Sequence, residues 1–259
     1  MPKIICSLLI LCFSFVGAQR QVALDSFQLK GVKEMQLDDY GNFYLYKTKD
    51  FSLTKTDSTG KILGRLMMTV PFRLQNVQNP LSIMLFSENA QELKVIDQNL
   101  NEIQKVDFRL NFGFIKAAYA EDLQQIWLLE ESSRRLIQYN FRNQQIINSF
   151  PLSLDFGDVT SMVVFNQKLY LISSKAFQVY DFKGNQLFQK EIPNLKKIKR
   201  ENERILLFTP NEIYSYTSLD GISKDFSKAS AEIVDKNSAS YFEYRENKVY
   251  LYEINQQGR

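Results

Sequence analysis

The side chains able to do chemistry in this 259-residue sequence are defined first by what is missing. There is no histidine, and the two cysteines, Cys6 and Cys12, fall within the first dozen residues. Ser-His-Asp and Cys-His nucleophilic sites are therefore impossible, as are Cys/His zinc sites and covalent haem attachment. Carboxylate, tyrosine and lysine chemistry remain. Paired acids suffice for glycoside hydrolysis, and Asp38, Asp39, Asp122, Glu130, Glu131, Asp155, Asp158 and Asp225 are available. No motif fixes two of them opposite each other, and no loop is dense enough in aspartate to hold calcium. Capping turns and lining solvated loops is the ordinary work of such acids. No catalytic residue, cofactor site or metal ligand is assigned. The densest charge feature is basic: Lys196-Lys197-Ile198-Lys199-Arg200, followed by Arg204. It reads either as an anion or partner-docking site, or as a solvated edge with Leu195 and Ile198 turned inward.

Lys+Arg total 32 against 29 Asp+Glu, so no strong field steers an anionic partner, and nucleic acid is not expected. The N-terminus has the layout of a secretory signal peptide: Met1 to Lys3 is a short basic start, Ile4 to Val16 an apolar run, and Val16-Gly17-Ala18 a small-residue cleavage site. The expected division is residues 1–18 removed and residues 19–259 mature, the mature chain lying in the periplasm. A lipid anchor on Cys12 would follow the bulky Leu11, where lipoprotein signals carry a small residue. Cleavage leaves a chain without thiols, whose stability must come from packing.

Self-comparison reveals a repeat. The centres of Tyr44-Leu45-Tyr46, Met84-Leu85-Phe86, Trp127-Leu128-Leu129, Tyr170-Leu171-Ile172, Leu206-Leu207-Phe208 and Tyr250-Leu251-Tyr252 are spaced by 40, 43, 43, 36 and 44 residues. A second ladder, Asp57, Asp97, Asn140, Asp181 and Ser218, keeps step at 40, 43, 41 and 37. Each unit reads as four short strands rich in β-branched and aromatic residues. The third gives Ile115–Ala120, Gln125–Glu130, Arg135–Asn140 and Gln145–Phe150. The fourth gives Thr160–Phe165, Lys168–Ser173, Phe177–Phe182 and Gln186–Ile192, with Lys183-Gly184-Asn185 as a hairpin turn. Such units are β-propeller blades. The last unit lacks its final strand, and Gln21 to Leu29 is a spare apolar stretch at the start. The expectation is an all-β propeller of six four-stranded blades in one domain, the last completed by an N-terminal strand; five blades plus a flap is the alternative.

The basic run then falls on the first strand of the fifth blade, nearest the central channel. Phe108 to Phe114 and Leu152 to Gly157 are apolar connections between blades. With Arg109, Phe112 and Phe156 they would make one rim a protein-binding surface, with Lys196, Lys197, Lys199 and Arg200 as an electrostatic adjunct. Tucking between blades is the competing reading for these loops.

Asp38-Asp39-Tyr40-Gly41-Asn42-Phe43-Tyr44-Leu45 and the Asp57-Ser58-Thr59-Gly60 turn resemble the blade starts and turns of NHL-type exported propellers. That resemblance covers binding scaffolds as well as lactonase-like metal enzymes, which use Glu, Asn and Asp ligands at the channel mouth. No such set can be placed here. The Asp57 turn also departs from the Ser-x-Asp-x-Gly-x-Thr-Trp box of sialidase-like propellers, since Lys55 stands two before the aspartate. A small cysteine-free exported propeller also resembles the periplasmic plug subunits of type 9 secretion translocons. The resemblance implies a non-enzymatic subunit whose partner is a large outer-membrane β-barrel complex. The alternative is a carbohydrate-active or lactonase-like hydrolase using carboxylates and a divalent metal.

Overall fold

The computed structural model describes residues 19–22, 24 and 29–254; the expected signal peptide, with Cys6 and Cys12, lies outside them. The first strand, β1 (Gln19–Val22), belongs to the last blade. Blade 1 is β2 (Val32–Leu37), β3 (Phe43–Lys47), β4 (Ser52–Thr56) and β5 (Ile62–Met67). Blade 2 is β6 (Arg73–Leu74), β7 (Ile83–Ser87), β8 (Glu92–Ile96) and β9 (Glu102–Asp107). Blade 3 is β10 (Ile115–Ala120), β11 (Gln125–Glu130), β12 (Arg135–Asn140) and β13 (Gln145–Pro151). Blade 4 is β14 (Ser161–Phe165), β15 (Lys168–Ile172), β16 (Ala176–Asp181) and β17 (Gln186–Glu191). Blade 5 is β18 (Lys197–Glu201), β19 (Arg204–Phe208), β20 (Glu212–Thr217) and β21 (Gly221–Ser227). Blade 6 takes β22 (Ile233–Lys236), β23 (Ser240–Arg245) and β24 (Lys248–Glu253), with β1 as its outermost strand. The ring therefore has six blades rather than five and closes through the N-terminal strand. The strands expected in blades 3 and 4 agree with those observed to within a residue at each end.

Burial follows position in the blade. Middle strands such as β4 and β7 are buried along their whole length, because both sheet faces pack against neighbouring blades; outer strands such as β5 and β17 are largely exposed. The core is accordingly six clusters, one per blade interface. Trp127, Leu136, Leu152 and Phe156 join blades 3 and 4, while Phe43 meets Phe242 edge-on between blades 1 and 6. The interface of blades 5 and 6 is the smallest, built on Leu206, Phe208, Ile213 and Val234.

The second ladder of the sequence has a hydrogen-bonding cause. Oδ1 of Asp57 accepts from the N–H groups of Thr59 and Lys61, Asp97 from Asn99 and Asn101, and Asp181 from Lys183 and Asn185. Asn140 does the same for Arg142 and Asn143. In blade 5 Thr217, one residue before Ser218, accepts from Asp220. Each side chain thus satisfies the orphan amides of the hairpin joining the third and fourth strands. Asp38 makes the same turn between the first and second strands of blade 1. These turns need one residue in the left-handed region, supplied by Gly41, Gly60 and Gly184 at φ 82°, 86° and 84°. In blade 2 it is Leu100, at φ 66°, whose side chain is held in the core between blades 1 and 2.

The Asp57, Asp97 and Asp181 carboxyls sit below their ordinary 3.8, held there chiefly by the Thr59 hydroxyl, the Asn101 amide N–H and the Asn185 side chain respectively. A lowered folded value means a stabilisation present above pH 3.8 and lost as the pH falls through the folded values. The triple variant Asp57→Asn, Asp97→Asn, Asp181→Asn keeps the turns, as Asn140 shows. Its melting temperature should fall less steeply between pH 5 and pH 2 than that of the native chain; parallel curves would refute the assignment.

Candidate functional site

The central channel is walled by the first strands of the blades. They are unevenly spaced, and long side chains bridge the openings. Gln36 Nε2 donates to the Leu74 carbonyl at 3.0 Å between blades 1 and 2. Gln75 bonds the Ala118 carbonyl and the Ala120 N–H between blades 2 and 3. Between blades 5 and 6 the bridge is ionic. Lys197 Nζ lies 2.7 Å and Lys199 Nζ 2.9 Å from Oδ2 of Asp235, whose side chain has no solvent exposure. Both ammonium groups also lie over the Phe208 ring. Burial pulls the Lys199 ammonium down to about 8, against the attraction of Asp235. Burial alone would lift the Asp235 carboxyl, but the two lysine charges hold it below its ordinary value. On the facing strand, burial raises the Glu34 carboxyl, with Lys197 and Gln36 opposing in part.

The channel forms two compartments, of about 670 Å³ and about 450 Å³. Glu34, Arg73, Phe86, Lys196 and Lys197 line both, where the two meet. The larger compartment is also lined by Asn76, Asn79, Tyr119, Ala120 and Leu123, while the Ala117, Met162 and Val163 side chains beside it are buried in the interblade cores.

The basic run expected beside the channel stands there, but its members differ. Lys197 and Lys199 are committed to Asp235. Arg200 lies 3.5 Å over the Phe165 ring and donates to the Asn202 carbonyl. Lys196 is exposed. The proposed rim is a different matter. Phe156 is 2% exposed within the core between blades 3 and 4, beneath the Arg134 guanidinium. Phe112 is half-buried between Phe108 and Tyr139. Arg109 is exposed and closes on Asp107 at 2.5 Å. The two aromatic side chains are interblade packing, so Arg109, Phe112 and Phe156 do not form an open apolar rim.

Six of the eight candidate acids are engaged by hydrogen bonds or ion pairs, whereas the Glu131 and Asp158 side chains make none among the described residues. Asp38, Asp122 and Asp155 cap turns, and Asp39 accepts from the Ser238 N–H. Glu130 accepts from the Gly113 N–H and Arg135, and Asp225 from Ser215. Among the described residues no three Asp, Glu, His or Cys side chains converge to hold a metal ion. Nor, among them, is any helix long and apolar enough to cross a membrane.

A different apolar surface runs around the outer wall. In blades 1 to 4 the pairing of third and fourth strands slips by one residue, leaving Leu63, Ile103, Ile147 and Leu187 as the unpaired residues of β-bulges. All four are aliphatic and 47%, 58%, 45% and 50% exposed. In blade 5 the slip falls at the other end of the pair, between Ile213 and Tyr214, and its unpaired residue is Asp225, 3.9 Å from Arg204. The belt therefore spans four consecutive blades. Its sequence signal, a spacing of 40, 44 and 40 residues, lay in the repeat.

No protein-family model matches the sequence, and no curated protein matches it. Solved structures show the same fold. Streptogramin B lyase is 14% identical with TM-score 0.55, over 93% of this chain and 88% of that one. PorZ, described as an essential bacterial surface component of the type-IX secretion system of Porphyromonas gingivalis, is 12% identical with TM-score 0.55; 88% of this chain spans only 33% of PorZ. BamB from Moraxella catarrhalis is 11% identical with TM-score 0.47, over 86% of this chain and 85% of that one.

Proposed function

We propose that this chain is a non-enzymatic periplasmic propeller that binds another protein, as a plug or accessory subunit of an outer-membrane protein-secretion translocon. The belt of Leu63, Ile103, Ile147 and Leu187 carries this reading. Single exposed aliphatics are ordinary, but a recurrence at one structural position in four successive blades makes a surface suited to a partner. Six of the eight candidate acids a hydrolase could use are occupied by turns, hydrogen bonds and ion pairs. PorZ supports the choice of assembly, as a propeller-containing component of a type-IX secretion system.

The test is affinity capture from the native envelope, comparing the native chain with the variant Leu63→Asp, Ile103→Asp, Ile147→Asp, Leu187→Asp. The native chain should recover a large outer-membrane barrel protein at near-equal stoichiometry. The variant should recover about tenfold less or worse, with a melting temperature little changed, since exposed substitutions each shift stability by about 0.5 kcal/mol or less. Undiminished capture would remove the belt as the contact surface, and recovery of no barrel would overturn the assembly.

A further inference from the structure

A second apolar feature stands at the end of the ring rather than on its outer wall. The turns that join first to second strands encircle one mouth of the channel, and neighbouring turns touch there. Asn237 Nδ2 of blade 6 donates to the Asp38 carbonyl of blade 1 at 2.8 Å, and the Ser238 N–H donates to Asp39. In blades 1, 2 and 3 these turns carry Tyr40, Leu81 and Leu123, which are 75%, 62% and 49% exposed. The matching turns of blades 4, 5 and 6, at 166–167, 202–203 and 237–239, carry no large apolar residue. Each apolar tip is fixed by a side-chain cap. The Tyr40 N–H donates to Asp38 Oδ1 and the Leu81 N–H to Asn79 Oδ1. Beside Leu123, Asp122 Oδ1 accepts from the Gln124 and Gln125 N–H groups. Apolar groups presented in this way have little backbone freedom left to lose when a partner covers them.

The charge in these three turns has one sign. Asp38, Asp39, Glu121 and Asp122 lie in them with no Lys or Arg, and the last three are exposed. None of the four is ion-paired among the described residues. The cations of the larger compartment do not offset them. Lys197 and Lys199 are held by Asp235, Arg73 by Glu88, and Arg200 lies over the Phe165 ring. Lys196 precedes β18, whose far end is the one that reaches this mouth. A chain close to neutral overall therefore carries a locally negative field around its apolar tips.

We propose that this arc of turns is a docking surface for a basic segment of another protein, one bearing lysine or arginine beside apolar side chains. Tyr40, Leu81 and Leu123 cover the segment's apolar residues, and Asp39, Glu121 and Asp122 receive its cations. The surface is separate from the outer belt, whose residues lie on the fourth strands β5, β9, β13 and β17. Either contact can fail without the other.

Fluorescence anisotropy of a labelled peptide of alternating lysine and leucine, titrated with the full mature chain, tests this. A lysine–serine peptide and a glutamate–leucine peptide are the parallel probes. The lysine–leucine peptide should bind saturably in the micromolar range, and weaken as salt is raised. The variant Asp39→Asn, Glu121→Gln, Asp122→Asn keeps a side-chain acceptor at each turn and removes the charge. It should weaken binding about tenfold or more with little change in melting temperature. Leu81→Ser with Leu123→Ser should weaken it by a similar factor while leaving the salt dependence in place. The surface would be overturned by no saturable binding, by either parallel probe binding equally well, or by either variant binding like the native chain.

Discussion

Asp235→Ala should destabilise the protein by about 3–5 kcal/mol in urea unfolding, more than any surface change described above. The carboxylate is the shared counter-ion of Lys197 and Lys199, and its removal strands two cations beside the smallest of the six core clusters. The cost is that of the charges left behind rather than of the bond lost. Adding Lys197→Met and Lys199→Met to Asp235→Ala should therefore recover at least half of it. A cost below about 1 kcal/mol for Asp235→Ala would mean that water reaches the cluster freely. The pH dependence has a definite sign. With Lys199 at about 8 in the folded chain and an ordinary value of 10.5, the unfolded chain binds more protons between those values. The stability of the native chain relative to Lys199→Met should therefore rise as the pH climbs from about 8 towards 10.5.

The second large effect concerns the seam. Val22→Asp should lower stability by about 3 kcal/mol or more, equivalent to a loss of about 6–12 °C in melting temperature for a domain of this size. Val22 is buried with Leu24, Met35, Phe43, Phe242 and Val249, where a carboxylate finds no partner. Displacing β1 also bares the edge of β24, a run containing Tyr250, Leu251 and Tyr252 that pairs with β1 in the native ring. Concentration-dependent self-association, read by light scattering, should accompany the loss of stability. Arg20→Asp, at an exposed position on the same strand, is the control and should change neither. A monomeric Val22→Asp protein with native melting would show that the ring does not depend on this strand.

What the sequence revealed was whatever is local or periodic. The strands of blades 3 and 4 were legible because β-branched runs end at turn residues, and Asp57, Asp97 and Asp181 kept step because every hairpin poses the same hydrogen-bonding problem. Closure was legible because an unfinished last unit and a spare first strand complement each other. The site was less so. Lys197 and Lys199 read as a docking adjunct or a solvated edge, not as an internal ion pair, because their counter-ion is nearly forty residues away in the next blade, a distance no spacing rule spans. Phe112 and Phe156 read as a rim because an apolar connection has the same composition whether it tucks under a neighbour or faces out. The aliphatic belt was within reach of the repeat alignment. A bulge, however, shifts the strand's inward and outward alternation by one, so alternation alone mis-assigns these residues.

The antiparallel seam also fixes how the ring yields to a pull. Gln19 lies opposite Tyr252 and Val22 opposite Val249, so the two free ends of β1 and β24 leave from the same side of the pair. Tension drawn between those ends loads the hydrogen bonds one after another, from Gln19 inwards, instead of shearing them together. A zipper opened from its tab gives way at low force. The closed ring is therefore mechanically weakest at its seam, and traction on either end would open it there before any single blade came apart.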